Sequence, residues 1–322
     1  MSSDVLQPTQ LSNQRLMVLG LSSVVLSVSM YMSVFAPFPL ALAFILYGRS
    51  KGAMLGLAGL VITLVASFYW SFTAVTIYVF ALMIAIGISE ILKREIPPVK
   101  GMVIWGSVLM VLLVGSLSLA FKAQNLTIEK LIKNQLSANQ AWLKEVKTKI
   151  GESGDQGSLE VLQMLDKPEL LARDVRQNFP SILFTTVFAV LWVNMFLCLK
   201  SRRLLMSGEK YAFSEMSILN FKVPFGFVIV LVAGLVMAIW GSEMGNMYEV
   251  IGFTIIRCLG VFYFFQGFGV LSELLNFIGA FGFFRSILVV GLVFFAKEII
   301  AAVGLFDNWF DFRKFFTKRK VD

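Results

Sequence analysis

The residues able to do chemistry in this chain are few, and most are polar groups embedded in apolar runs. Arg257 lies about nine residues into one such run, and Lys297 and Glu298 lie a similar distance from the end of the next. A charged side chain at mid-helix costs about 2.5–3.5 kcal/mol on insertion scales, so each needs a partner or a task. Packed antiparallel, the two helices would set Arg257 against Glu298 as an ion pair. Along the first of them Gln266, Glu273 and Asn276 stand seven and three residues apart, a polar stripe on one face with Arg285 close by in sequence. Two readings of the stripe stand: an ion-pair network locking two helices, or one wall of a cavity that holds a small solute or ion. Asn194, alone in its run, serves either as a helix-to-helix hydrogen bond or as a further ligand contact. Gly52-x-x-x-Gly56 and Ser23-x-x-x-Ser27 let helix backbones approach closely and are read as packing positions.

Other chemistry is missing from the residues themselves. The chain has no histidine, which removes the commonest general base, the commonest zinc ligand and any Ser/His or Cys/His pair. Cys198 and Cys258 both sit inside apolar runs and read as small buried hydrophobes. No phosphate-binding loop, metal-ligand spacing or catalytic carboxylate pair is present. The expectation is a protein that is not an enzyme and uses no cofactor or metal.

The elements that must position these residues follow from composition. Of 322 residues, 57% are apolar and 15% charged, against about 45–50% and about 25% in soluble domains. Runs of about 20 apolar residues recur along the chain, so the fold class is all-α: a polytopic helical membrane protein of about eight or nine spans. Residues 1–121 read as an N-terminal bundle of about five spans. Within it, Leu40–Tyr47 is short enough to be tilted or re-entrant before Gly48-Arg49-Ser50-Lys51. Residues 122–177 carry nine basic and eight acidic residues and read as an inserted amphipathic helical hairpin. Residues 178–306 form a C-terminal bundle of three to four spans with a linker at 200–222. Residues 307–322 mix aromatic and basic groups as an interfacial tail. Six of the eight prolines (37, 39, 97, 98, 180 and 224) lie at or near run starts, where a missing amide costs little.

The net charge of +8 is loop charge that sets orientation rather than a nucleic-acid footprint. Arg15, Arg49 and Lys51, Lys93, Arg94 and Lys100, and Lys200, Arg202 and Arg203 all favour the cytoplasm, which puts 122–177 and the loop at Glu243 and Glu249 outside. Nine crossings would then leave the basic tail outside, against the same rule; either the tail is an exception, or the region 248–284 crosses or re-enters differently.

Two strings carry a resemblance: Tyr263-Phe264-Phe265-Gln266-Gly267-Phe268-Gly269, and Gly304-Leu305-Phe306-Asp307-Asn308-Trp309-Phe310-Asp311-Phe312-Arg313. They resemble the YybS-like family of bacterial membrane proteins over most of the chain. The stretch from Pro37 to Gly59 also resembles, at fold level, the second-to-third span junction of energy-coupling-factor substrate-binding (S) components. The resemblance implies a helical bundle in the bacterial cytoplasmic membrane that holds a small molecule without its own ATPase. The leading expectation is therefore a non-enzymatic inner-membrane protein that binds or helps to move a small solute. The alternative is a structural or assembly protein that engages a membrane partner, or a second copy of itself, through its hairpin and linker. The lipid bilayer is a partner under either reading, and nucleic acid under neither.

Overall fold

The structure, a computed structural model, describes residues 13–29, 31–69, 72–123, scattered positions between 127 and 148, and 167–205, 213–244 and 246–318. Among them all regular structure is helical. The helices are α1 (Asn13–Val28), a 3-10 turn (Ser33–Phe35), α2 (Pro37–Ser67), α3 (Thr73–Lys93), α4 (Pro98–Ala123) and α5 (Pro168–Leu205). Then come α6 (Met216–Leu219), α7 (Gly226–Met244), α8 (Asn246–Phe277), α9 (Gly282–Phe295), α10 (Lys297–Phe310) and α11 (Phe312–Lys318). Among the described residues, five stretches are long and apolar enough to cross a membrane: Ser33–Ser67, Thr73–Lys93, Pro98–Ala123, Glu169–Ser201 and Met247–Phe277. The pair α9–α10 qualifies only jointly and bends by 93°, while α1 and Gly226–Gly241 are apolar but shorter. The middle of the expected hairpin at 122–177, including its loop at 151–157, lies outside the described residues.

The helices divide into two compact units. One comprises Met1–Leu109, Thr186–Phe227 and Leu259–Asp322; the other comprises Met110–Thr185 and Val228–Cys258. This division cuts across the segments expected from hydropathy, because α4, α5 and α8 each supply residues to both units. The expected boundary at 177 falls inside α5, which runs unbroken through Pro180. The charged stretch before Asn178 and the apolar run after it are one helix, so hydropathy marks a change of environment there rather than a break in the chain.

In the first unit, α2 is interrupted at Gly48, whose φ of 86° and ψ of 172° are non-helical. A left-handed φ is nearly free only for glycine, so the junction before Arg49 is built into the residue type. The break lets the short arm Pro37–Tyr47 fold back, and a Cβ on Gly52 would lie 2.9 Å from the Phe44 Cα. Ala36, Leu40, Ala41 and Ala43 on that arm are fully buried. The long arm packs on α3 through small residues: Gly56 faces Leu82, Gly59 faces Tyr78, and the Tyr78 hydroxyl donates to the Gly56 carbonyl at 3.3 Å. The same register brings Arg49 to Glu90, with two bonds of 2.7 and 2.6 Å, and Arg94 adds a third at 3.0 Å. The loop at 48–51 and the end of α3 therefore share one end of the bundle. Ser23 donates to the Ala36 carbonyl at 2.8 Å and Ser27 to the Ser23 carbonyl at 2.9 Å, so both serine hydroxyls are spent on backbone.

The segment after α8 leaves and returns to the same place. Arg285, at the start of α9, donates to the Ser272 hydroxyl at 2.8 Å and to the Asn276 side chain. At its far end the Phe316 ring lies 5.7 Å from that of Phe277, the last residue of α8. Between those points α10 crosses α8 backbone to backbone. A Cβ on Gly267 would sit 1.9 Å from the Ile300 carbonyl oxygen, and one on Gly304 would sit 1.9 Å from that of Tyr263. The segment folds back along α8, and it places the tail at the C-terminal end of that helix. Asp311, in the left-handed conformation at φ 49°, ends α10 and turns the chain into α11.

Candidate functional site

The two strings that stood out in the sequence meet in one buried polar network in the first unit. Gln266 is fully buried. Its Oε1 accepts the Val223 amide at 2.8 Å, and its Nε2 donates at 3.1 Å to both Asp307 Oδ2 and Asn308 Oδ1. Arg313 reaches in from α11. Its Nη1 donates to the Leu219 carbonyl at 2.9 Å, and its Nη2 to the carbonyls of Phe221 at 3.1 Å and Gln266 at 3.0 Å. Its Nε lies 3.5 Å from Asp307 Oδ2, with the two side chains 9% and 0% exposed. A planar guanidinium suits this task because its fixed fork can reach several carbonyls at once. Gly269 is small because a Cβ there would lie 2.0 Å from the Leu219 carbonyl oxygen. Asp307 Oδ1, Asn308 Nδ2 and Glu273 Oε2 are buried with no hydrogen-bond partner among the described residues.

The margin of this network is charged and more open. Lys222 and Lys314 both pair with Asp311, at 2.7 and 2.5 Å. These hydrogen bonds hold the Asp311 carboxyl down at a pKa of about 2 and push that of Lys314 up. What the network accomplishes is mechanical: it ties linker, α8, the bent segment α9–α10 and tail together.

The expected polar stripe is thus divided among separate partners. Gln266 is spent on Val223, Asp307 and Asn308, and Asn276 on Arg285. Glu273 keeps one buried unsatisfied oxygen, and Arg285 turns to Ser272 and Asn276 instead. Asn194 donates to the Val34 carbonyl at 2.8 Å and to that of Val190 at 2.7 Å, pinning the turn before α2. Glu298 lies 3.7 Å from its neighbour Lys297. A small apolar pocket in this unit is walled by Met102, Phe188, Trp192, Phe221, Phe262 and Phe265 and includes none of the expected ligand residues. The Trp192 ring stacks on Phe265 at 5.0 Å.

In the second unit Arg257 finds a partner that hydropathy did not suggest. Its Nη1 donates to Asn178 Oδ1, and Asn178 Nδ2 in turn donates to Asp174 Oδ1 at 2.8 Å. The guanidinium also lies 5.9 Å from the centre of the Phe253 ring. These groups, with Glu249 and Thr254, line a half-open cleft of about 160 Å³ between α5 and the first turns of α8. The second wall of the hairpin α7–α8 is close-packed: a Cβ on Gly252 would lie 2.5 Å from the Ala238 amide. Among the described residues Arg257 makes no ion pair within 4 Å, although two carboxylates share its cleft. Sequence reasoning missed Asp174 and Asn178 as site residues and read Glu249, with Glu243, only as a weak signal for a cation. The usable signal was that Asn178 directly precedes the apolar run Phe179–Leu199, just as Arg257 directly precedes Cys258 and the apolar turns that follow.

Long apolar helices with lipid-facing residues such as Val111, Leu119 and Ile229, about 70% exposed, define a multi-pass helical membrane protein. The DUF2232 family, described as a predicted membrane protein, matches residues 16–308, and the chain belongs to that family. No curated protein and no solved structure matches it.

Proposed function

We propose that the protein is a non-enzymatic component of the bacterial cytoplasmic membrane that binds, or helps to move, a small polar solute. The likeness to the YybS-like family and to S components belongs to this proposal, as does a topology of eight crossings. In that topology α1, both arms of α2, α3, α4, α5, α7 and α8 cross, the stretch 122–177 lies outside, and the re-entrant segment returns the basic tail to the cytoplasm. The carrying observation is the half-open cleft with a guanidinium that has no ion pair among the described residues and two separate carboxylates. Such convergent polar groups in one concavity are the usual mark of a small-molecule site. Of the residues first considered as ligand contacts, Asn194, Gln266 and Asn276 each bond protein groups, while Asn194 Oδ1 and Glu273 Oε2 are buried with no hydrogen-bond partner among the described residues.

The test is a thermal-shift screen of detergent-purified protein with glycine, glutamate, phosphoethanolamine and inorganic phosphate. Stabilisation by at least one of these that disappears in Arg257→Gln supports the reading. No stabilisation, or stabilisation that survives Arg257→Gln, overturns it.

One observation favours a second reading, a structural or assembly protein. Arg313 and Lys222 weld the linker to the tail, giving an ordered basic platform that a partner or second copy could use. A single-protomer mass by native mass spectrometry from nanodiscs would argue against the second copy.

A further inference from the structure

The cleft beside Arg257 also has a position relative to the bilayer. The apolar run Phe179–Leu199 follows directly on Asn178, and at 1.5 Å per residue it spans about 30 Å, the hydrocarbon thickness of a bilayer. The part of α8 that follows Arg257, Cys258 to Phe277, has nearly the same length. The bond between Arg257 and Asn178 sets these two starting points at one level. Both helices continue past that level, α5 back to Pro168 and α8 back to Asn246. The cleft therefore opens at the hydrocarbon boundary, not at mid-membrane, and this removes the cost that made Arg257 anomalous. The basic end of α5 at Lys200 lies on the opposite side, so the boundary is the outer one.

A concavity at that level meets headgroups. Its cation and its carboxylates do not cancel. Arg257 gives one donor to Asn178 and has no ion pair among the described residues, and a guanidinium carries five N–H donors in a fork that fits phosphate. Asp174 is held in place by Asn178, and Glu249 lines the other side from α8. The pattern asks for one molecule carrying both an anion and an ammonium. Phe253 adds an aromatic face to the same cleft.

Resting on the solute-binding reading above, we propose that this cleft holds a phospho-ammonium group, the headgroup of an aminophospholipid of the outer leaflet. The phosphate sits on Arg257 and the ammonium between Asp174 and Glu249. Free phosphoethanolamine offers the same chemistry without acyl chains.

The test is native mass spectrometry and thermal shift on the full chain after delipidation. The probes are phosphatidylethanolamine, phosphatidylcholine and phosphatidylglycerol with identical acyl chains, and soluble phosphoethanolamine. Phosphatidylethanolamine is expected to be retained at least about tenfold better than phosphatidylglycerol, which lacks the ammonium. Arg257→Gln should abolish retention, and Arg257→Lys, which keeps the charge, should restore part of it. Glu249→Gln should bring phosphatidylethanolamine down to the phosphatidylglycerol level with folding intact. Soluble phosphoethanolamine binding as well as the lipid would show a free solute and overturn the lipid assignment while leaving solute binding in place. Equal retention of all three lipids, or a preference that survives Arg257→Gln, overturns the headgroup proposal. If glycine or glutamate then still stabilises the wild type through Arg257, the solute reading survives alone; if nothing does, both fall.

Discussion

Arg313→Leu is the most informative single replacement in the buried network. The guanidinium it removes holds three backbone carbonyls at 2.9–3.1 Å and faces an Asp307 that is fully enclosed. Breaking a buried pair by deleting one partner costs about 3–5 kcal/mol, because the remaining charge keeps its desolvation and loses its compensation. A control lies one contact away. Lys222 also bonds an acidic residue, Asp311 at 2.7 Å, but the two side chains are 49% and 24% exposed. That pair belongs to the class worth about 0–1 kcal/mol, so Lys222→Gln should be near neutral. Reversible unfolding in mixed micelles, followed by tryptophan fluorescence, measures both. The double variant Asp307→Leu/Arg313→Leu should recover part of the single loss, since no stranded carboxylate remains. A loss below about 1 kcal/mol for Arg313→Leu, or one equal to that of Lys222→Gln, would refute the claim that burial and not the mere presence of a charge pair carries the energy.

Three further outcomes are expected. Gly304→Ala should destabilise by about 2 kcal/mol or more, because its Cβ would meet the Tyr263 carbonyl oxygen, which no rotamer change can move; Gly291→Ala, with open space around it, should be neutral or stabilising in the same unfolding assay. In a variant lacking Cys198 and Cys258, a cysteine replacing Lys51 or Lys314 should react with an impermeant thiol reagent only after permeabilisation, whereas one replacing the exposed Tyr69 should react in intact spheroplasts; labelling of the Lys314 position from outside would contradict the re-entrant return. The Asp311 pairs contribute stability that is fully present above the ordinary carboxylate value near 4 and lost as pH falls through about 2; the unfolding midpoint should fall slightly across that window with the tail still held by Arg313, and Asp311→Asn should abolish that part of the dependence.

The class of the protein and several of its junctions were readable from residue types alone. Gly48 marked the break before Arg49, and Pro37 and Pro98 begin helices. The partners of the polar groups were not readable, for a geometric reason. Pairing Arg257 with Glu298 assumed two straight antiparallel spans of equal depth. Instead α8 runs for 32 residues, about nine turns, and the segment bearing Glu298 bends by 93°. Asn194 bonds a carbonyl 160 positions earlier, which no periodicity encodes. The stripe of Gln266, Glu273 and Asn276 was correctly placed on one helix, but a shared helix does not imply a shared partner. Gln266 meets Asp307 because glycines 267 and 304 let two backbones touch, and that contact was visible only as two glycine-bearing strings far apart in the chain.

The order of synthesis gives the buried arginine another meaning. The segment from Gly282 to Phe310 is apolar enough, taken whole, to be handled by the insertion machinery as one more crossing. Arg313 ties the end of that segment to Leu219, Phe221, Gln266 and Asp307, and every one of those groups leaves the ribosome before it. The contact that fixes the end of the segment therefore forms against a scaffold already in place. A nascent chain halted between Phe310 and Arg313 would carry the segment without that tie.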